Sequence, residues 1–568
     1  MNRQVLILNI TRMGDLVQMG ALLARLQEEW PGVQVDLVLD RRFAAVASLL
    51  AGLREVVTFD FHELIDTSRA AVKDTVSLYH DLAAWARPLS ERRYDRIVNL
   101  TFNRPSALLA SYVGAPDIRG SRSAWDGGMV IDNPWMAYFT DMHRFRAMNR
   151  FNLVDVYAMG GSGPGTFAPL HVTVPAPAME WAREFLTSPD NPSGQWIAVQ
   201  AGASDVMKAW RPEHFGTTLA RLSVQWSGGF VLIGMPSEQE TLARVVQVYR
   251  EAGGRNAVKN AAGQTTLEQL VALLAGCRLL LTNDTGPMHL AVAVGTPVID
   301  LSVGHVDFRE TGPYGPGHWV LQPELECAPC GFEQVCAHHT CKDRIPADSV
   351  AALMLHVLGT GTFPTGISSF RVYKSGIDED QLGTFRLMVG SEPSTTTWYA
   401  TFWRRYWYEW FTGLPSKIPA ETIPPEDASS ASGHARTLLP LLETLCRRAD
   451  EIGRIASGPS ISAQTLQSLQ QAQRTERERA VQIGMMHPIT APVTVAFIRT
   501  IHNDNVQGLD RLAFHHAQAY RQWRNQITEI HRSLFGIRKQ EPSRQLPMAP
   551  GSLLVHSPQR LAWPEKAT

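Results

Sequence analysis

Three short stretches of the chain place a glycine and a charged side chain directly after an apolar run. ITRMGD contains Gly14 and Asp15, QAGASDVMK ends on Lys208, and TNDTGPMH contains Asp284 and Gly286. A glycine lets a bulky anion approach backbone N–H groups, and an ammonium group neutralises phosphate charge. These residue types fit a phosphate-binding site with a carboxylate nearby. Taken singly, Asp15 could be an ordinary helix-start acid and Lys208 a solvated surface charge.

The stretch LTNDTGPMHLAVAVG ends one apolar run and begins another segment. Asp284 or Thr285 can cap a helix that starts at Gly286-Pro287, because both side chains carry acceptors and proline is tolerated in the first turn. Gly286 has no Cβ, so an anionic group can approach the free N–H groups there, with His289 beside it. The alternative is a plain strand-to-helix turn in which Asp284 caps and His289 packs.

Short β-branched runs alternate with helical patterns from Val5 to Ser302, as in VLILNI, ALLARLQEEW and VQVDLVLD. This alternation predicts an α/β fold with parallel sheets covered by helices. A Pro/Gly-rich stretch from Gly160 to Glu180 interrupts it, so we expect two doubly wound halves joined near residues 160–185. Ligands of such sheets lie at the carboxyl ends of the strands, which places the expected site in a cleft between the halves.

Composition and charge limit the kinds of partner. The chain has 568 residues with 53 Lys and Arg against 54 Asp and Glu, so no global field indicates nucleic acid or an anionic membrane. The first apolar run is much shorter than a secretory h-region, and no apolar run approaches the roughly 18 residues of a membrane span. We therefore expect a soluble, cytoplasmic enzyme or binding protein. A nicotinamide-dependent enzyme is disfavoured because no strand is followed by G-x-G-x-x-G.

Four stretches, in order, resemble glycosyltransferase family 9, the heptosyltransferases: TRMGDLVQMGALL, DRIVNLTFNRPSALLASYVGAPDIRG, QAGASDVMKAW and TNDTGPMHLAVAVGTPVI. The resemblance runs from about residue 3 to residue 355. It implies a GT-B architecture, in which two Rossmann-like domains face a cleft. We expect an acceptor-binding domain over residues 1–175, a nucleotide-sugar-binding domain over 176–360, and a mainly α-helical extension over 361–568.

The family's usual reaction transfers heptose from ADP-heptose, with inversion, to a sugar of the lipopolysaccharide core. By matching position, the resemblance implies that Asp15 is the general base for the acceptor hydroxyl. The residues it assigns to the donor are Lys208, Asp284, Thr285, Gly286, His289 and Gly14. Catalysis would need no metal, because a lysine and a helix N-terminus can stabilise the leaving diphosphate. Glu238 could accept from a ribose hydroxyl or could be an exposed first-turn acid.

The segment ELECAPCGFEQVCAHHTCKDRI holds four cysteines within fifteen residues: Cys327, Cys330, Cys336 and Cys341. Their spacing could place four thiolates around one zinc or iron ion. The alternatives are unliganded or redox-active thiols, and disulfides, which a cytoplasmic chain disfavours. A similar quartet occurs in many family members, and members that modify autotransporters hold iron with cysteines. The resemblance implies a structural role, with His338 and His339 as substitute ligands.

Beyond residue 360 the chain departs from the family. Aromatic residues recur there at helical spacing, with Arg404 and Arg405 between them: Tyr399, Trp403, Tyr406, Trp407 and Trp410. Such a stripe fits a core or domain-docking face, and the alternatives are membrane-interface attachment and a partner or carbohydrate platform. Two later amphipathic segments, RTLLPLLETLCRRADEIGRIA and LDRLAFHHAQAYRQWRNQITEIHRSLFGI, could pack together or assemble subunits. The residues from about Gln540 are expected to be flexible.

Two classes of function follow. The first is an inverting glycosyltransferase that uses ADP-heptose or a related nucleotide sugar, with a glycolipid-core or protein acceptor, in the cytoplasm or peripheral at the inner membrane. The second is a non-catalytic nucleotide-sugar-binding scaffold that acts through its C-terminal extension. The presence of Asp15, Lys208 and Asp284 together favours the enzyme.

The acceptor pocket is expected in loops of the N-terminal half. Arg104, Arg119, Arg144 and residues 149–152 are the candidates, because arginines suit an anionic or phosphorylated sugar. Each of these arginines alone could equally be a surface charge.

Overall fold

The computed structural model describes residues 2–10, 12–61, 75–131, 133–331, 335–364, 369–419, 425–458, 463–503 and 508–534. The strands of its first sheet are β1 (Gln4–Leu8), β2 (Gln34–Asp40), β3 (Leu53–Phe59), β4 (Arg96–Asn99), β5 (Asp117–Ser123) and β6 (Met129–Ile131). Their order is β3-β2-β1-β4-β5-β6, and every neighbouring pair is parallel except β5 with β6. β1 is central, which agrees with the complete burial of its apolar run.

The helices around this sheet are α1 (Met13–Gln18), α2 (Gly20–Glu29), α3 (Ala44–Ala47), α4 (Thr75–Glu91), α5 (Arg104–Val113), α6 (Pro134–Met142) and α7 (Leu153–Gly161). Three of them begin after an asparagine whose side chain accepts from N–H groups of the first turn. Asn103, Asn133 and Asn152 are these caps, and they satisfy donors that an isolated helix start would leave open.

Helix α8 (Ala176–Leu186) leads into the second sheet. Its strands are β7 (Trp196–Gln200), β8 (Gly229–Leu232), β9 (Val258–Asn260), β10 (Leu279–Asn283), β11 (Val298–Leu301), β12 (Trp319–Pro323), β13 (Phe370–Ile377) and β14 (Gly383–Val389). The order is β14-β13-β12-β11-β10-β7-β8-β9. Strands β7 to β12 pair in parallel, whereas β13 and β14 add an antiparallel edge. The sheet therefore continues beyond residue 360.

The helices of the second half are α9 (Pro212–Leu222), α10 (Gln239–Glu251), α11 (Leu267–Ala275), α12 (Gly286–Ala293), α13 (Phe308–Thr311) and α14 (Ala347–Val357). Short 3₁₀ turns at Val206–Lys208 and Pro236–Glu238 follow β7 and β8. Both turns therefore lie beyond the carboxyl ends of parallel strands, at the edge where ligands of such sheets bind.

The C-terminal extension forms α15 (Ser394–Thr412), α16 (Pro425–Ala456), α17 (Ala463–Met485), α18 (Ala491–His502) and α19 (Leu509–Leu534). Its aromatic stripe is buried within the molecule: Tyr399, Trp403, Tyr406 and Trp407 are each less than a tenth exposed. Trp407 and Phe411 pack edge-on against Tyr138 of α6. The stripe is thus a docking face on the N-terminal half, and these buried rings are not available to a membrane interface.

Two parallel α/β sheets with a helical extension confirm the fold expected from the sequence, including its GT-B architecture. Among the described helices, none combines the length and the apolar character needed to cross a membrane. The tail expected to be flexible, from about Gln540, lies outside the described residues.

Candidate active site

A cavity of about 1490 Å³ lies between the two sheets and is lined by residues of both halves. The N-terminal half contributes Arg12, Met13, Gly14, Asp15 and Arg146. The C-terminal half contributes the loops that follow β7, β8, β10 and β11. The carboxyl ends of strands in both sheets therefore open into one space.

Asp15 lies in the first turn of α1, immediately after β1. Asn9 stabilises this turn, because its Nδ2 donates to the backbone oxygen of Asp15 at 3.0 Å. The Asp15 side chain is half-buried and lines the cavity. Burial raises the pKa of the nearby Tyr157 phenol, and the negative charge of Asp15 adds to that rise. Asp15 is thus a carboxylate fixed by a short helix at the cavity wall.

The two halves approach each other closely at Gly14 and Gly286. A Cβ atom at Gly14 would lie 3.0 Å from Cδ2 of His289, and one at Gly286 would lie 2.0 Å from Cε of Met13. Helices α1 and α12 therefore meet start to start across the cavity. This contact brings Asp15 of one half near Asp284 and His289 of the other.

The loop after β7 is fastened to the end of β10 by Asn283. Its Nδ2 donates to the carbonyl oxygens of Ala201 and Gly202 at 3.0 and 3.2 Å, and its Oδ1 accepts from Trp210 N at 3.0 Å. Lys208 lies on the fastened loop, and its Nζ donates to the backbone oxygen of Asp284 at 2.9 Å. This hydrogen bond holds the ammonium group next to the turn that precedes α12.

Helix α12 starts at Gly286, as the sequence predicts, but the expected side-chain cap is absent. Thr285 occupies the N-cap position and its side chain accepts no hydrogen bond from the helix. Its Oγ1 lies 3.3 Å from Oγ1 of Thr282 instead. A hydroxyl that faces away from the helix leaves the positive end of α12 directed at the cavity.

The charges around this turn are strongly perturbed. Burial raises the pKa of Asp284, while the positive charges of Lys208, Arg12 and Arg146 act against that rise. Burial, together with the positive charge of Lys208, lowers the pKa of His289 to about 4. His289 is therefore a neutral imidazole at physiological pH.

Glu238 lies at the far side of the same cavity, in the turn after β8. Its Oε2 accepts from Met235 N at 2.7 Å and from Gln200 Nε2 at 3.2 Å. A Cβ atom at Gly202 would lie 1.9 Å from Glu238 Oε1, so the carboxylate sits directly over that glycine. Glu238 is thus a half-buried, first-turn acid that caps its own turn and also lines the cavity. Its role toward a ribose stays a prediction.

Sequence reasoning missed an ion pair that crosses the cavity. Arg146, in the 3₁₀ turn His143–Met148 of the N-terminal half, contacts Glu310 of α13 through Nη2 at 3.1 Å and Nε at 3.2 Å. It also donates to the backbone oxygen of Cys330 at 3.3 Å. Burial raises the pKa of Glu310 to about 7. Nothing in the sequence distinguishes Arg146 from the neighbouring arginines.

The residues predicted for the acceptor pocket lie elsewhere. Arg119 pairs with Asp117 and donates to backbone oxygens of residues 160–162. Asn149 is buried and accepts from Tyr138, and Asn152 caps α7. Neither Arg104 nor Arg144 is among the described residues that line the cavity. These residues do not line this cavity, so their role in acceptor binding stays a prediction. The N-terminal half instead contributes Arg12 and Arg146 to the cavity wall.

The four cysteines of the 327–341 loop are close enough to influence one another. Burial, together with Cys327, Cys341 and Cys336, raises the pKa of the Cys330 thiol to about 11. The Cys330 N–H donates to Gly304 O at 2.9 Å, which ties the loop to the end of β11. All six cysteines of the chain are unbridged. Across the described residues, no three or more His, Cys, Asp or Glu side chains are arranged to hold a metal ion.

Comparison with known proteins gives one family and several relatives. Residues 82–340 match the family described as glycosyltransferase family 9 (heptosyltransferase). The chain is 28% identical over 159 residues to lipooligosaccharide heptosyltransferase 2 of Campylobacter jejuni, covering 27% of this chain and 48% of that protein. It is 24% identical over 330 residues to lipopolysaccharide heptosyltransferase 2 of Escherichia coli K12, covering 57% of this chain and 85% of that protein.

The alignment thus spans about half the length of the Campylobacter relative and most of the Escherichia one. Among solved structures, the chain is similar to the E. coli ADP-heptose lps heptosyltransferase II, with a TM-score of 0.45 and 21% identity. That similarity covers 62% of this chain and 98% of the solved chain.

Proposed function

Because the chain belongs to glycosyltransferase family 9, we propose that it is a glycosyltransferase that moves a heptose from ADP-heptose to a sugar of the lipopolysaccharide core. One observation carries this proposal. The Asp15 carboxylate of one half and the Lys208–Asp284 contact of the other line the same cavity. A transfer reaction needs a base on the acceptor side and a stabilised leaving group on the donor side. Asp15 would supply the base, and Lys208 would stabilise the leaving group.

In the proposed reaction, Asp15 accepts the proton of the acceptor hydroxyl. The hydroxyl oxygen forms a bond to the anomeric carbon as the bond from that carbon to the diphosphate breaks, which inverts the configuration. The ADP that leaves takes the electron pair of the broken bond. Lys208 and the N-terminus of α12 stabilise its charge, so the step requires no metal ion.

The remaining cavity residues are assigned to the donor. Asp284 and neutral His289 would hold hydroxyls of the sugar, because a carboxylate and an uncharged imidazole both accept hydrogen bonds. Gly14 and Gly286 supply the close approach of the two helix starts. Glu238 would accept from the ribose through Oε1, because its Oε2 already receives two protein hydrogen bonds.

The acceptor side of the proposal rests on Arg12 and Arg146, the arginines by which the N-terminal half lines the cavity. Arginine suits an anionic or phosphorylated sugar, as a lipopolysaccharide core provides. A protein acceptor and a non-catalytic scaffold are the alternatives. A cytoplasmic location, with peripheral contact at the inner membrane, and assembly through the C-terminal helices belong to the same proposal.

We also propose that the four-cysteine loop holds a structural metal ion. The support is that Cys327, Cys341 and Cys336 each contribute to the raised pKa of Cys330. Ligation would require them to move closer than they now lie. Elemental analysis of the purified protein would give about one zinc or iron per chain, lost in Cys330→Ser. Absence of metal from the wild-type protein would leave the cysteines as free thiols.

The test of the proposed function is a thermal-shift titration with ADP, ADP-heptose, a UDP-sugar and a GDP-sugar. A ligand that binds the native state alone raises its stability. We expect a saturable rise in Tm with the two ADP compounds, and its loss in Asp284→Ala. A control variant, Asp348→Asn, removes an exposed carboxylate that does not line the cavity and should retain the full shift. A lack of any shift with all four nucleotides would contradict nucleotide-sugar binding and direct attention to the C-terminal extension.

A further inference from the structure

Behind Asp284 lies a second carboxyl group to which the proposed reaction gives no role. Asp300, on β11, is completely buried, and neither of its oxygens has a hydrogen-bond partner within the described residues. Its Cα pairs with that of Thr282 on β10, two residues before Asp284. Strand β11 therefore carries a buried carboxyl group without a hydrogen-bond partner in the described part of the chain, next to the end of β10 that leads to Asp284.

The side chain of Asp300 lies on the face of the sheet that α12 covers. Residues two apart on a strand share a face, and Val298 packs in one core cluster with Leu290 and Ala291 of α12. The adjacent Ile299 and Leu301 pack on the opposite face. Asp300 is thus enclosed between the sheet and the helix whose N-terminus points into the cavity, where no solvent reaches it.

The titratable and charged groups that face this site come from three neighbouring elements. Asp284 at the end of β10 adds negative charge, Lys208 on the loop after β7 adds positive charge, and His289 on α12 is neutral. Strand β12 contributes no charged side chain. Arg12 and Arg146 act on Asp284 as well. Asp300 itself faces one carboxylate and one ammonium group, so its ionisation would add, close to the diphosphate site, a buried negative charge for which the described ranges offer no hydrogen-bond partner.

We propose that Asp300 is a positioning residue that keeps a proton at neutral pH and so adds no further negative charge behind Asp284. This inference rests on the proposed function, because it concerns binding of the ADP group. With Asp300 neutral, Lys208 and the N-terminus of α12 keep a net attraction for diphosphate. Loss of the proton at alkaline pH places a second carboxylate beside the diphosphate and weakens its binding.

The burial of Asp300 and the Asp284 charge both raise its pKa well above the ordinary value. The unfolded chain releases this proton near pH 4, whereas the folded chain keeps it to a higher pH. The native state therefore loses stability relative to the unfolded state as the pH rises between those two values. Asparagine has nearly the same shape and no proton to lose, so Asp300→Asn should escape this loss.

The experiment combines two measurements on the full chain. Calorimetric titration gives the Kd of ADP between pH 6.5 and 9 for wild type and Asp300→Asn. We expect the wild-type Kd to rise at alkaline pH, by up to about tenfold per pH unit, and the Kd of the variant to stay nearly constant. Thermal unfolding between pH 4 and 8 should show a Tm advantage of the variant that widens as the pH rises. Asp348→Asn serves as the control, because its carboxylate is largely exposed.

Two results would overturn the inference. An alkaline rise in Kd that persists in Asp300→Asn would assign that rise to another group, such as Lys208. A Tm difference that does not change with pH would show that the folded protein holds no proton there. Asp300→Thr, a second uncharged variant, gives the same comparison if the asparagine variant does not fold. Wild-type protein that binds no ADP at any pH would contradict the proposed function and this inference with it.

Discussion

Asp15 and Asp284 are carboxylates in one cavity, but their surroundings differ. Asp15 is half-buried on the first turn of α1, in the half expected to bind the acceptor. Asp284 is close to Lys208, Arg12 and Arg146, and burial raises its pKa. A base must be reachable by the incoming hydroxyl, whereas a donor ligand must lie beside the phosphate-binding groups. The two environments therefore suit two separate roles.

The first prediction concerns this division. Asp15→Asn should lower the rate of transfer by about 10²- to 10⁴-fold, the usual contribution of a general base, with little change in ADP affinity. Lys208→Ala should weaken ADP binding by roughly 10- to 100-fold, the worth of a charge-assisted hydrogen bond. Rates and calorimetric Kd values for both variants check the assignment. Equal losses of ADP affinity in Asp15→Asn and Lys208→Ala would contradict it.

Among individual site residues, the sequence predicts those that directly follow a strand. It does not predict those that reach the cavity from other parts of the fold. Asp15, Lys208 and Asp284 each follow an apolar strand, so their convergence follows from the topology of parallel sheets. Arg146 and Glu310 lie on short turns whose direction depends on tertiary packing. The ion-pair partner of such an arginine is determined by tertiary packing, which the residues next to it in the sequence do not reveal.

The element that departs most from an ordinary surface helix is α15. Its rings stack along one face, with Trp403 and Trp407 at 5.5 Å and Tyr406 and Trp410 at 6.0 Å between centroids. Trp403 is completely buried, and its Nε1 donates to Pro488 O at 3.0 Å. The helix therefore belongs to the core that joins the extension to the rest of the chain.

The second prediction follows from that burial. Trp403→Ala should lower the free energy of unfolding by about 3–5 kcal/mol, since it removes a large buried ring and leaves a cavity. Trp410→Ala is the matched control, because Trp410 is only partly buried on the same helix, and it should cost less. Urea denaturation followed by tryptophan fluorescence compares the two. Equal losses of unfolding free energy in the two variants would show that the buried face of the helix contributes no more to stability than its partly exposed face.

The sequence predicts the helix but not its neighbour. Aromatic residues at three- and four-residue spacing indicate a helix with one apolar face, and α15 spans that segment. The same pattern suits a membrane interface or a docking face, because both bury rings. The choice is made by Tyr138 and Trp135 of α6, which present complementary rings far away in the sequence.

The whole molecule is held together by polar contacts between its halves. Asp155 of α7 accepts from Tyr314 OH at 2.6 Å and from Gly383 N at 3.0 Å, both in the C-terminal half. Arg404 of α15 makes a two-point contact with Asp380 at 2.7 and 2.8 Å and donates to the Arg150 backbone at 2.7 Å. The extension thus contacts both halves at one junction.

The third prediction concerns the pH dependence of this junction. Burial raises the pKa of Asp155 to about 6, from an ordinary value of 3.8. A raised folded pKa means that its contribution to stability is present below pH 4 and is lost as the pH rises to about 6. The shift corresponds to about 3 kcal/mol. The stability of wild type relative to Asp155→Asn should therefore fall by this order between pH 4 and 6, as urea denaturation measures. A difference that stays constant would contradict the assignment.

At the largest scale, composition and alternation of elements predict two sheets and a cleft, and both are present. The addition of β13 and β14 to the second sheet was not foreseen. Strand β13 pairs antiparallel with β12, and β14 pairs antiparallel with β13. Both lie beyond residue 360, where the sequence loses its alternating pattern. Whether a strand joins a sheet depends on which edge strand of that sheet is unpaired, and the alternation of residues within the strand does not reveal this.

The most direct test of the proposed reaction is to incubate the protein with ADP-heptose and a lipopolysaccharide whose core lacks heptose. Release of ADP is followed chromatographically, and NMR gives the anomeric configuration of the transferred sugar. We predict one ADP per heptose transferred, an inverted anomeric centre, and loss of both signals in Asp15→Asn. Transfer with retained configuration, or full transfer by Asp15→Asn, would contradict the single-base mechanism. Absence of any transfer by a wild-type protein that binds ADP-heptose would contradict the proposed acceptor.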